Sequence, residues 1–117
     1  MKKNIFIVSF LLLSQSYVGA QEMMKLRPEE RATNQTEWMR NHLYLSDDQA
    51  DKVGEINLRY SNKMQDIYDG PQSQSEKNEA AKALFDKKSE ELEGIFTERQ
   101  YSAYKAKEND MKSKMKK

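Results

Sequence analysis

Apolar residues recur along this chain at spacings of three and four, and past residue 25 no stretch alternates in the one-in-two manner of a half-buried strand. The pattern divides into four helical stripes. Ala32, Gln35, Trp38, Met39, His42 and Leu43 share one side of a first predicted helix, about Pro28–Leu43. Pro28 followed by "EER" suits its first turn, where proline's fixed φ is pre-set for helix and acids meet the positive end of the helix dipole. Ala50, Val53, Ile56, Tyr60, Met64 and Ile67 form the second stripe, which "DGPQ" at Asp69–Gln72 ends; Leu58 points off it. A third helix is expected from about Ser75, with Ala81, Leu84, Phe85, Leu92, Ile95 and Phe96 on one face and Lys88 in its middle. The fourth carries Tyr101, Tyr104, Met111 and Met115 in line, interrupted by Glu108. A Lys88–Glu108 pair between helices would make sense of both interruptions, and a snorkelling Lys88 is the alternative.

Two of these helices are announced by the same phrase. "LSDDQ" at Leu45–Gln49 and "FTERQ" at Phe96–Gln100 both read apolar, hydroxyl, acid, any residue, glutamine. Ser46 and Thr97 are N-cap residues whose oxygens can accept from the backbone three places on, while Gln49 and Gln100 can reach back to the cap's own N–H. Leu45 precedes its cap as a hydrophobic staple, and Phe96 can staple onto Tyr101. Each cap contributes about 1 kcal/mol.

The first twenty residues read differently. Lys2 and Lys3, then "IFIVSFLLL", then "SQSYVGA" form the layout of a secretory signal peptide, with cleavage expected after Ala20. The apolar run falls short of the about 20 residues a spanning helix needs. A helical signal peptide over 1–20 and a single helical domain over 21–117 are therefore expected, the domain exported and not membrane-spanning after cleavage. Two of the 20 basic and none of the 19 acidic residues fall in the leader, so the remainder carries 18 against 19. That balance argues against nucleic acid as a partner. With a mean hydropathy of −1.01 and no cysteine, the domain must stand on a thin core without disulfides.

At the two phrases the chain resembles the Spy/CpxP family of periplasmic helical proteins, which carry a pair of "LTxxQ" motifs. Here Ser46 stands for the threonine of the first and Phe96 for the leucine of the second, and the resemblance spans roughly Arg31–Tyr104. It implies an all-α, cradle-like or helical-hairpin architecture, an antiparallel homodimer, a periplasmic location, and a concave face that holds partly unfolded clients without ATP during envelope stress. It also brings two alternatives: a regulatory module docking on the periplasmic domain of a sensor kinase, or a metal-responsive helper.

The residues themselves offer little to an enzyme. There is no cysteine nucleophile, no glycine-rich phosphate loop and one histidine, so no catalytic residue, metal ligand or cofactor is assigned. His42, alone on an apolar side, reads as a packed side chain or a helix-end cation before it reads as a ligand. Met39, Met64, Met111 and Met115 sit at stripe positions, where core filling is the default and an adaptable binding surface the alternative. The tail "KAKENDMKSKMKK" is a solvated helix end or a basic arm for acidic clients. Trp38, Met39, Leu58 and Phe85 are the candidates for a client-binding surface.

Overall fold

A computed structural model describes residues 25–115; the expected signal peptide, 1–20, lies outside them. The protein is all-α over that span, with four helices: α1 Pro28–Leu43, α2 Asp47–Asp69, α3 Gln74–Glu93 and α4 Glu98–Met115. Short turns join them, so consecutive helices run antiparallel. The chain reads as two hairpins, α1–α2 and α3–α4, and each quoted phrase opens the second helix of its hairpin. α2 packs on α1 and α3, α3 on α4, and α4 closes back onto α1.

The helix starts follow their local chemistry. Ser46 Oγ accepts from Gln49 N–H at 3.1 Å, and Gln49 Oε1 accepts from Ser46 N–H at 2.9 Å. Thr97 and Gln100 repeat the exchange at 3.2 and 2.9 Å. A third box opens α3 one residue earlier than the periodicity placed it. Ser73 Oγ accepts from Glu76 N–H at 3.2 Å and the Glu76 carboxylate accepts from Ser73 N–H at 3.0 Å. α1 has proline in its first turn, and Glu30 accepts from Arg27 N–H at 3.0 Å.

One core runs through the bundle: Met39 and Leu43 from α1, Leu45 before α2, Val53, Ile56 and Tyr60 from α2, Leu92 and Phe96 around the second turn, and Tyr104 from α4. Trp38, Leu84, Ile95 and Tyr101 pack at its margin. Phe96 does not staple onto Tyr101 by ring contact. Its ring meets Tyr104 edge to face at 5.8 Å, because Tyr104, one turn further on, faces inward while Tyr101 is half-exposed.

The buried positions also carry polar residues. Arg31, Asn57, Ser61, Lys88, Ser89 and Glu108 are all nearly inaccessible. Arg31 donates to Leu26 O at 2.6 Å and to Ser61 O at 3.0 Å, pinning α1 to the middle of α2. Asn57 Nδ2 donates to Thr36 Oγ1 at 2.9 Å across the same interface. On the outer side of α2, Arg59 Nη1 donates to both Glu91 oxygens at 2.7 and 2.8 Å, and the Tyr60 hydroxyl donates to the same carboxylate.

Candidate functional site: a glutamine-locked junction and a groove between α1 and α2

The two capping phrases meet. Gln49 Nε2 donates to Gln100 Oε1 at 2.8 Å, and Gln100 Nε2 donates to Gln49 Oε1 at 3.2 Å. The second hydrogen of each amide goes to the opposite turn: Gln49 Nε2 to Ile95 O at 3.1 Å, and Gln100 Nε2 to Leu43 O at 3.1 Å and Tyr44 O at 3.4 Å. Each amide therefore uses two acceptor sites and two donors, the full capacity of a glutamine side chain. A glutamate could cap its own helix but could donate to nothing across the junction. The chain repeats the phrase because each hairpin turn reads the other.

The carbonyls that Gln100 reads are presented by an unusual residue. Tyr44 ends α1 in the left-handed region, φ 56 and ψ 51, with its N–H bonded to Arg40 O, and Leu45 N–H bonds the same carbonyl at 3.3 Å. That is the hydrogen-bond pattern of a helix stop usually given to glycine. The Tyr44 ring is 85 % exposed, so no packing compensates the strain.

The four candidate client-binding residues are not gathered on one surface. Met39 is a correction: at 4 % exposure it belongs to the core, because the helix phase that pairs it with Leu43 turns it toward α2, with its sulfur 3.8 Å from Asn57 Nδ2. Trp38 is half-buried on the other flank of α1, stacked on His42 at 4.5 Å and capped by Lys107 Nζ at 5.6 Å. His42 is exposed in the last turn of α1, its Nδ1 2.9 Å from Trp38 O and one face of its ring packed on the Trp38 indole. Phe85 is half-buried on α3. Leu58 stays 38 % exposed and forms one wall of a shallow groove between α1 and α2, about 260 Å³ in volume. Ala32, Thr33, Thr36 and Gly54 line the rest of it, with Glu29 and Glu37 at its margin.

Electrostatics concentrates between α1, α3 and α4. The Lys88 ammonium, 6 % exposed, donates to Gln35 Oε1 at 3.0 Å. Burial pushes its pKa down to about 8, and the nearby Glu108 charge partly offsets that. Glu108, 2 % exposed, does not pair with Lys88 directly: Lys105 from its own helix holds it at 2.7 Å and the Ser89 hydroxyl donates to its other oxygen. The conjectured pair is thus a through-space attraction, since each group finds a shorter-reach partner. Burial, then the Glu108 charge, pushes the Tyr104 hydroxyl well above its ordinary range.

Sequence reasoning placed Lys88 and Glu108 on the apolar faces but missed the groove, the buried Arg31, Asn57, Ser61 and Ser89, and the Arg59–Glu91–Tyr60 clamp. Asn57 and Ser61 had a signal, since they fall in helical phase with Val53. Among the described residues, no three His, Asp or Glu side chains converge as metal ligands, and no helix is long and apolar enough to cross a membrane.

These features define an all-α protein of two capped hairpins locked turn to turn. Residues 14–104 match the family described as Domain of unknown function (DUF4890), and the chain belongs to that family. No curated protein and no solved structure matches it.

Proposed function

We propose that this is a periplasmic, non-catalytic holdase that binds partly unfolded exported proteins without nucleotide and limits their aggregation, in the manner of the Spy/CpxP proteins that its motif pair resembles. The observation that carries the reading is Leu58: a large apolar side chain left 38 % exposed beside an open groove, on a helix whose buried positions hold Asn57 and Ser61. Apolar contacts of that size contribute about 1–2 kcal/mol each when covered, enough to retain a client segment and little enough to release it. Charge at the margin speeds encounter. The leader expected over 1–20 would deliver the protein to the compartment, where a homodimer would widen the binding surface.

The test is a light-scattering assay of a chemically denatured exported protein diluted into the purified chain. Near-stoichiometric protein should slow aggregation with no ATP present. No effect on any of several clients would refute the proposal. Retention of a single sensor kinase from envelope extracts, with generic clients still aggregating, would replace it with the regulatory reading.

A further inference from the structure

Gly54 has no steric reason to be glycine. It lies inside α2, where glycine weakens a helix relative to alanine. A Cβ there would meet only Thr36 Oγ1 at 3.8 Å and Thr36 Cγ2 at 3.9 Å, ordinary contact distances. Its φ is not positive, so no backbone requirement accounts for it either. What the missing side chain does accomplish is to leave the floor of the α1–α2 groove open, one turn before Leu58.

The groove is apolar below and acidic above. Ala32 and Thr36 of α1 face Gly54 and Leu58 of α2. Glu29 and Glu37, two helical turns apart on α1, stand on the same side, and no cation is paired with either at salt-bridge distance among the described residues. A volume of about 260 Å³ is below the about 300–1,000 Å³ that encloses a drug-sized ligand, and suits one or two side chains.

We infer that the α1–α2 groove is a docking site for a peptide segment in which an aliphatic side chain is flanked by lysine or arginine. The aliphatic group occupies the space above Gly54 against Leu58, and the flanking cations meet Glu29 and Glu37. This deepens the holdase reading and rests on it for the source of the segment, an unfolded exported chain. The charge complementarity sets the preference: an acidic segment of equal hydrophobicity is repelled by the same margin.

The experiment measures fluorescence anisotropy of a labelled, unstructured peptide with one leucine between lysines, titrated with the full purified chain. Matched peptides carry glutamates for the lysines, or serine for the leucine. The lysine–leucine peptide should bind, with affinity falling as salt rises, and both matched peptides should bind at least about tenfold more weakly. Gly54→Leu fills the groove while improving helix propensity, so it should weaken binding about tenfold without lowering the melting temperature. Glu29→Gln with Glu37→Gln should remove most of the salt dependence and leave the leucine preference. Equal binding by wild type and Gly54→Leu, or no discrimination among the peptides, overturns the site. A change in sedimentation of Gly54→Leu with no peptide binding by wild type also overturns it, in favour of a second copy of the chain as occupant. Aggregation assays separate the two claims: a holdase unaffected by Gly54→Leu refutes the groove alone. Peptide binding lost in Gly54→Leu, with no holdase activity in wild type, refutes the holdase alone.

Discussion

Replacing Gln49 by glutamate tests whether the repeated phrase is a lock or only a pair of helix starts. The carboxylate still accepts from Ser46 N–H and from Gln100 Nε2, so the cap survives. Both donations across the junction vanish, and Ile95 O and Gln100 Oε1, at 3.1 and 2.8 Å from Nε2, face an anionic oxygen. Two lost hydrogen bonds cost about 0.5–1.5 kcal/mol each. Half-buried acceptors left facing an anion add about 1 kcal/mol more. The helix dipole returns about 0.3–1 kcal/mol for an acid in the first turn. The expected net loss is about 2–3 kcal/mol, a large share of the about 5–15 kcal/mol typical of a folded domain. Trp38, the only tryptophan and half-buried, reports unfolding in urea by its fluorescence.

The control is the third box, where Glu76 accepts from Ser73 N–H at 3.0 Å and no bond ties its side chain to another helix. Glu76→Gln should therefore cost less than about 0.5 kcal/mol. If Gln49→Glu stays within about 0.5 kcal/mol of wild type at pH 7, or if Glu76→Gln loses as much, the lock is refuted.

Three further outcomes are expected. Lys88 is pushed down to about 8 by burial, so between that pH and its ordinary 10.5 the unfolded chain holds the extra proton and stability rises with pH, by about 3 kcal/mol over the whole window. Tyr60, pushed up to about 12 by burial and Glu91, and Tyr104, also raised, reverse the trend once unfolded tyrosines ionise near 10; denaturation midpoints should therefore peak near pH 10, and Lys88→Met should abolish the rising limb. Tyr44→Gly relieves left-handed strain where the exposed ring packs on nothing, and should raise stability by about 0.5–1 kcal/mol in urea melts; a loss would mean that the ring makes a contact. Glu91→Ala removes the acceptor shared by Arg59 and Tyr60 and should cost about 1–2 kcal/mol, less in high salt; the clamp is refuted if the loss is absent in low salt.

The helices were legible because their signals are local. Periodicity bounded α1 at Pro28–Leu43, and two hydroxyl–glutamine boxes located the starts of α2 and α4. α3 began one residue earlier than expected because its start was read from periodicity alone and the Ser73–Glu76 box, whose carboxylate reaches back to Ser73 N–H, went unread. The junction was not legible, since a box requires only one of a glutamine's four hydrogen-bonding positions. The unread hint was that both boxes use an amide where an acid would cap as well. Leu58 was correctly placed off the stripe, but its groove depends on the side chain that Gly54 lacks. Met39 was ambiguous between core and surface because a helical wheel does not say how wide the buried face will be.

The division of labour between apolar and polar groups explains how so polar a chain keeps one arrangement. The core's contacts are non-directional and would tolerate helices sliding past one another. Directional bonds also key the helices to one another: Arg31 to Ser61 O for α1 on α2, the Arg59–Glu91–Tyr60 clamp for α2 on α3, Ser89 to Glu108 for α3 on α4, Gln100 to Leu43 O for α4 on the end of α1, and Lys88 to Gln35 from α3 to α1. The two glutamines tie both hairpin turns together. A slip of one residue on any helix would break its key and strand a buried polar group, at about 1–3 kcal/mol for each group stranded. With register fixed this way, Leu58, Trp38 and Phe85 can remain partly uncovered without the bundle rearranging to bury them. On the proposed holdase reading, such a scaffold would offer its apolar groups from a fixed geometry, and the bound segment, not the scaffold, would supply the disorder.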